Sequence, residues 1–84
     1  MEAGDAMQRQ EQILYMQTRI MQMAMDRWNK SISQVAKIFE EYGLAQIIED
    51  DFELFHVEGD EAVFADLMDY FTAKGGAPDG TVDA

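Results

Sequence analysis

The sequence predicts an all-α fold, a compact bundle of four helices with short connections and disordered termini. Three observations predict it. Apolar residues recur every three or four positions in four separate stretches, which is the spacing of one helix face. No stretch alternates apolar and polar residues as a half-buried strand does. A capping box or a glycine separates each stretch from the next, as expected at helix boundaries.

The chain has room for one domain, because 84 residues supply a single core of ordinary size. We assign residues 8–76 to a single helical domain. Residues 1–7 are expected to form a flexible N-terminus. Residues 77–84 contain the only proline and little to bury, so we expect a disordered C-terminal tail.

The first helix is predicted from Gln8 to Asn29. Its polar positions form one stripe at helical spacing: Gln12, Tyr15, Arg19, Gln22, Asp26 and Asn29. The opposite side is a broad apolar arc: Ile13, Leu14, Met16, Ile20, Met21, Met23, Ala24, Met25 and Trp28. An arc this wide suits a helix that is contacted on two sides. Either both contacts come from its own domain, or a second molecule makes one of them.

The second helix begins at a capping box, because Ser31 is followed three residues later by Gln34. Gly43 ends it, since glycine readily takes the left-handed conformation of a helix terminus. Its predicted buried face comprises Ile32, Val35, Ala36, Phe39 and Tyr42.

The third helix is predicted from Leu44 to Phe55, with Leu44, Ile47, Ile48, Phe52 and Phe55 toward the core. Its outer face carries four acids that repel one another: Glu49, Asp50, Asp51 and Glu53. Acids in the second half of a helix also oppose the helix dipole. We therefore expect this helix to be the least regular and to break near Asp51.

The fourth helix follows a turn over residues 56–59 and is predicted to have Asp60 as its N-cap. Gly75 and Gly76 stop it. Its predicted core face comprises Val63, Phe64, Leu67, Met68 and Phe71, with Asp66 and Asp69 outward.

The charge of the chain is strongly negative and unevenly placed. There are 17 acidic and 6 basic side chains, a net charge of −11. Residues 1–38 carry four acids and five bases, whereas residues 39–84 carry thirteen acids and only Lys74. This disfavours direct binding to nucleic acid or to an anionic membrane, because phosphates would be repelled. It is compatible with a basic protein partner, and equally with acids that serve only solubility.

The residues do not form a recognisable catalytic or metal-binding set, so we predict a non-enzyme with no catalytic residues, cofactor or metal. There is no cysteine, a single histidine, and no phosphate-binding loop. An EF-hand starting at Asp50 or Asp51 would need glycine at its sixth position, where Phe55 and His56 stand. The second and third helices suggest a helix-turn-helix, but the candidate recognition helix is acidic throughout.

The chain shows no secretory signal at its N-terminus and no apolar stretch of membrane-spanning length. We therefore expect a cytoplasmic location.

Two candidate binding faces emerge from these patterns. The first is acidic and comprises Glu49, Asp50, Asp51, Glu53 and Glu58, with the single histidine, His56, beside it. That histidine either packs against the bundle or contacts the partner. The second face lies on the first helix and comprises Met21, Met25 and Trp28. Flexible methionines suit adaptable binding surfaces, but a methionine stripe is also an ordinary core.

Several short motifs resemble a known family. They are Phe39-Glu40-Glu41-Tyr42-Gly43, Ile47-Ile48, Phe52-Glu53-Leu54-Phe55-His56, Ala65-Asp66-Leu67 and Tyr70-Phe71. From Ile13 to Phe71 the chain resembles a small bacterial family catalogued as domain of unknown function thirty-seven ninety-one. That family has leucine and threonine where Phe55 and Val57 stand here, so any role of that threonine does not carry over.

The resemblance implies an all-helical fold without an established activity. Members of that family often sit beside genes for ADP-ribosyltransferase-like proteins, which implies a partner-neutralising, antitoxin-like role.

The sequence thus favours a non-catalytic acidic module that binds a basic protein. The alternative is a homo-oligomer or complex subunit joined through the methionine-rich first helix, and an enzyme ranks third.

Overall fold

The architecture is an all-α bundle, as predicted. A computed structural model describes residues 2–81, with side chains from Gln8 onward. The helices are α1 (Glu2–Trp28), α2 (Ile32–Glu41), α3 (Leu44–Asp50), α4 (Phe52–Phe55) and α5 (Asp60–Ala73). Four of them have seven or more residues, and α4 is a single turn. No strand occurs within residues 2–81.

The boundary between α1 and α2 follows the predicted capping chemistry. Asn29 takes a left-handed conformation with φ of 53° and ends α1. The Gln34 amide then donates to the Ser31 hydroxyl at 3.2 Å, and the Gln34 side chain accepts from the Ser31 amide at 2.9 Å. The capping box is therefore confirmed, and it fixes where α2 begins.

The predicted break in the third helix also occurs, and it occurs at Asp51. This residue leaves helical geometry with φ −105° and ψ 18°, so α3 ends at Asp50 and α4 begins at Phe52. The Asp51 amide still donates to Ile47, and its carbonyl accepts from the Leu54 and Phe55 amides. The chain thus bends without losing these hydrogen bonds. Phe52 and Phe55 both remain buried.

The core is one apolar cluster to which α1, α2, α3, α4 and α5 all contribute. Trp28 lies among three aromatic rings, stacked on Phe71 at 5.3 Å and tilted against Phe39 and Phe64, each at 6.3 Å. Tyr42 meets Phe71 edge to face at 4.8 Å. The cluster comprises Ile13, Met16, Ile20, Ala24, Trp28, Val35, Ile38, Phe39, Leu44, Ile48, Phe52, Phe55, Val63, Phe64, Leu67 and Phe71.

Two predicted faces differ from the structure. In α2 the buried residues are Val35, Ile38 and Phe39. Ile32 and Ala36 are exposed, because the helix is rotated so that Ile38 faces the core. In α1 the predicted apolar arc is too wide, since Leu14 is 63% exposed.

Asp60 is the first residue of α5 and not its N-cap. Gly59 occupies the cap position with φ of 92° and makes no side-chain capping bond. The carboxylate of Asp60 instead accepts from the Arg19 guanidinium, at 2.8 and 3.2 Å. The Asp60 carboxylate, which the sequence pattern assigns to helix capping, therefore forms an ion pair with a distant residue instead.

The chain after α5 differs from the expectation that it buries nothing. Gly80 is buried, and the Trp28 indole N–H donates to the Pro78 carbonyl at 3.2 Å. A buried indole needs an acceptor, and glycine lets the backbone approach the ring, since a Cβ at Gly80 would lie 2.5 Å from Trp28. Of the predicted disordered tail, residues 82–84 lie outside the described residues. At the other end, α1 begins at Glu2. Of the predicted flexible N-terminus, Met1 and the side chains of residues 2–7 lie outside the described part of the chain.

Candidate functional site

The three arginines of the protein, all on α1, each pair with an acid on α4 or α5. Arg9 contacts Glu53 at 2.9 Å, Arg19 contacts Asp60 at 2.8 Å, and Arg27 contacts Glu61. Because Asp60 accepts two bonds from it, the pKa of Arg19 is raised. The positive charge of α1 is thus directed at the acidic half of its own chain.

Two of these arginines also lie over aromatic rings. The Arg9 guanidinium carbon is 5.6 Å from the ring centre of Phe52, and that of Arg27 is 4.9 Å from Phe64. A guanidinium is attracted to the negative face of a ring at such distances. Each arginine therefore combines an ion pair with an aromatic contact.

The acids that α1 does not neutralise include those of a groove between α4 and α5. This α4–α5 groove has a volume of about 300 Å³ and is lined by Asp51, Leu54, Phe55, Asp66, Asp69 and Tyr70. Leu54 is 58% and Tyr70 is 44% exposed. The groove therefore presents apolar surface framed by carboxylates.

A further acid, Glu58, stands close to Asp66 in the turn that joins α4 to α5. Loss of water around Glu58 and its interaction with the Asp66 carboxyl raise the pKa of Glu58. Two adjacent carboxylates repel one another, and a cation nearby would relieve that repulsion.

The five acids that the sequence groups into one face are separated in the structure. Asp51 lines the α4–α5 groove, and Glu58 neighbours Asp66. Glu53 pairs with Arg9, Asp50 accepts from Gln46, and Glu49 lines a different hollow against α1. Four residues of the α4–α5 groove are not among the predicted site residues: Asp66, Asp69, Leu54 and Tyr70. Their placement depends on how α5 packs against α4, which their spacing alone does not reveal.

His56 is exposed and stacks on Phe52, with ring centres 5.5 Å apart and an angle of 19° between the planes. Its ring therefore lies against the bundle. It also lines a hollow of about 230 Å³ with Gln12, Tyr15, Met16, Arg19 and Phe52.

The methionine face of α1 belongs largely to the core. Trp28 is 6% exposed, and Met21 and Met25 are partly buried against the core cluster. Trp28 reaches a partner only if residues 78–80 move away from it.

The exposed apolar surface of α1 lies elsewhere, at Leu14 and Tyr15. These two residues, 63% and 66% exposed, form what we call the Leu14–Tyr15 ridge. Two hollows adjoin these residues. One of about 270 Å³ is lined by Glu11, Leu14, Tyr15 and Thr18, and one of about 300 Å³ by Gln10, Ile13, Leu14, Gln17 and Glu49.

Within the described residues, no group of three or more histidine, aspartate or glutamate side chains is placed to hold a metal ion. None of the helices in that part of the chain has the length and apolar character needed to cross a membrane.

Comparison with known proteins gives one match. A family model described as a protein of unknown function, DUF3791, matches residues 15–74. The chain matches neither a curated protein nor a solved structure.

Proposed function

We propose a function from the residues on the surface of the molecule. The chain belongs to the DUF3791 family, whose function is unknown. The protein is a non-catalytic interaction module that binds a basic segment of another protein in the α4–α5 groove. One observation carries this proposal: Asp51, Asp66 and Asp69 frame the exposed side chains of Leu54 and Tyr70.

The groove suits arginine or lysine side chains in two ways. Their long aliphatic stems cover apolar surface such as Leu54 while their charged ends remain among polar groups. The ring of Tyr70 adds an aromatic face for a cation, and the three aspartates supply opposite charge. A partner segment that alternates basic and apolar side chains therefore matches the groove.

The charge of the whole chain supports fast capture of such a partner. Residues 39–84 carry thirteen acids and one base, and a field of one sign raises the rate of encounter with an oppositely charged surface. Salt screens that field, so the association rate should fall as salt rises.

One form of this function is neutralisation of the partner, in the manner of an antitoxin. A basic surface that binds an anionic ligand is blocked when an acidic module occupies it. The proposed setting is the cytoplasm, which a cysteine-free chain suits.

Self-association through Met21, Met25 and Trp28 has less support. Trp28 is buried, and both methionines already pack against the core. An enzymatic role ranks below both, because no histidine, cysteine, serine, threonine or lysine lies among the residues that line the groove.

The test uses a labelled helical peptide with arginine and leucine on one face, and fluorescence anisotropy as the readout. The double variant Asp66→Asn/Asp69→Asn should weaken binding at least about tenfold, since two ion pairs at the edge of the groove are lost. The matched control is Glu40→Gln/Glu41→Gln, which removes the same charge from exposed positions on α2.

Equal weakening by both double variants would mean that bulk charge, and not the groove, attracts the peptide. Binding that is indifferent to salt and to both double variants would also contradict the proposal.

A further inference from the structure

We propose that a second copy of this chain docks on the Leu14–Tyr15 ridge, so that two α1 helices pair antiparallel about a two-fold axis near Tyr15. This interface is separate from the α4–α5 groove and does not depend on the function proposed for it.

The ridge is apolar surface that the chain itself does not cover. Leu14 and Tyr15 are more than half exposed, while Ile13 and Met16 on either side of them are buried. Those two buried contacts fix the rotation of α1, so the ridge cannot turn inward. Exposed large apolar side chains that adjoin one another are a common feature of interaction sites.

The shape of this surface is self-complementary. One hollow lies between Leu14 and Tyr15, next to Glu11 and Thr18, and another lies along Leu14, next to Gln10 and Gln17. Helices pack when the side-chain ridge of one enters the groove beside the ridge of the other. In a two-fold interface the same patch serves on both copies, so a ridge that adjoins its own hollows can supply both halves of the contact.

The charges along the ridge are complementary under the same symmetry. Glu11, Tyr15 and Arg19 are four residues apart and lie on one stripe of α1. An antiparallel pairing centred on Tyr15 brings Glu11 of each copy opposite Arg19 of the other. Arg19 already donates from Nε and Nη2 to Asp60, and a guanidinium has five N–H donors, so it can hold a second carboxylate.

The wider charge distribution also favours α1 over any other contact between copies. Residues 8–30 carry four bases and two acids, whereas residues 39–84 carry thirteen acids and one base. Two chains with a net charge of −11 repel one another. That repulsion is smallest when α1 faces α1 and the acidic halves point apart.

The first test is sedimentation over a range from about one to several hundred micromolar. The wild-type chain should show a concentration-dependent monomer–dimer equilibrium. Leu14→Glu places a charge in the contact and should raise the dissociation constant at least about tenfold. Leu54→Glu is the matched control, because Leu54 is similarly exposed and lies in the groove, and it should dimerise as the wild type does.

A wild-type chain that stays monomeric throughout this range would overturn the proposal. Loss of the dimer in Leu54→Glu but not in Leu14→Glu would move the contact to the groove and overturn it as well.

The second test establishes the antiparallel register by exchanging charges. Glu11→Arg alone and Arg19→Glu alone should each weaken the dimer, because like charges would then meet twice. Mixed in equal amounts, the two variants should form a heterodimer. Its two substituted side chains have opposite charges and meet on one side of the axis, while the unchanged Glu11 and Arg19 meet on the other.

Circular dichroism checks that each variant is folded, since Arg19→Glu also loses the Asp60 pair. Two folded variants that do not associate when mixed would contradict the two-fold arrangement.

Discussion

The Leu14–Tyr15 ridge and the α4–α5 groove expose the same two residue types in different electrostatic surroundings. Each presents one leucine and one tyrosine to solvent. The ridge has charges of both signs nearby, the acids Glu11 and Glu49 and the base Arg19, whereas three aspartates and no base line the groove with Leu54 and Tyr70. Exposed apolar residues favour contact with a partner, while the neighbouring charges determine which partner surface is electrostatically complementary.

The two regions also differ in how the fold supports them. The ridge stands on α1, a continuous helix of 27 residues whose opposite side is buried in the core. The groove is formed by α5 and by α4, a single turn that follows the break at Asp51. A long helix holds its side chains in a fixed register. The ridge therefore rests on one regular element, whereas the groove depends on how two elements pack together.

The largest expected effect is on stability, and it should differ sharply between a buried residue of the groove and its exposed neighbour. Phe55→Ala should lower the free energy of unfolding by about 3–5 kcal/mol, because a buried aromatic ring is lost and a cavity remains. Leu54→Ala should change it by less than about 0.5 kcal/mol, since Leu54 is mostly exposed. Urea unfolding followed by circular dichroism measures both values.

The same pair of changes can be made at the ridge. Ile13→Ala should lower the free energy of unfolding by about 2–5 kcal/mol, and Leu14→Ala should change it little. These measurements belong at low protein concentration, where dimer formation does not add to stability. A large loss from either leucine variant would mean that its side chain supports the fold, and that region would no longer be a free surface.

An intermediate effect is expected at the end of the bundle where residues 77–81 cover Trp28. Gly80→Ala should lower stability by about 1–3 kcal/mol, because a Cβ would meet the Trp28 ring and because Gly80 has φ of 84°. It should also shift the emission of Trp28 to longer wavelength as the ring becomes wetter. Gly59→Ala is the control, since Gly59 also has a positive φ but has open space around it.

If both glycine variants lose the same stability without a change in Trp28 emission, the contact between Gly80 and the indole has no energetic role. Self-association through the ridge should be unchanged in Gly80→Ala, because Leu14 lies well before Trp28 on α1.

The smallest effect is the pH dependence that Glu58 brings to the groove. Its pKa is raised in the folded state, so the folded state binds a proton more readily than the unfolded state does. Its contribution therefore makes stability fall as pH rises from the ordinary glutamate pKa through the raised value. Glu58→Gln should remove this decline, so the variant gains stability over the wild type at pH 7 but not below pH 4.5, the ordinary value.

Thermal unfolding at a series of pH values measures the difference, and Glu41→Gln, at an exposed position on α2, is the control. A Glu58→Gln variant whose advantage is the same at every pH would show that the proximity of Asp66 does not matter to the fold.

The parts of the fold that sequence predicted well are those decided by local chemistry. The capping box at Ser31 and the glycine at position 43 fix two boundaries through interactions within a few residues. The run of acids around Asp51 predicts the break that occurs there. The all-α architecture was predictable for the same reason, because helical periodicity is a local pattern.

The parts that sequence did not predict depend on contacts between distant residues. Ile38 and Ile32 are equally apolar, and only the packing of α2 on the bundle decides which is buried. Asp60 is a good N-cap locally, yet Arg19, forty-one positions away, holds its carboxylate. The groove was missed for this reason too, since Asp66 and Asp69 reach Asp51 only through the docking of α5 on α4.

The arginine contacts of α1 provide an internal example of how acids in the second half of the chain hold arginine side chains. Arg9 and Arg27 each reach one carboxylate while lying over one phenylalanine. An arginine of a partner would find the same combination of an acid and an aromatic ring at Asp66, Asp69 and Tyr70. The arrangement of Arg9 and Arg27, each between a carboxylate and an aromatic ring, is therefore a template for designing peptides that bind in the groove.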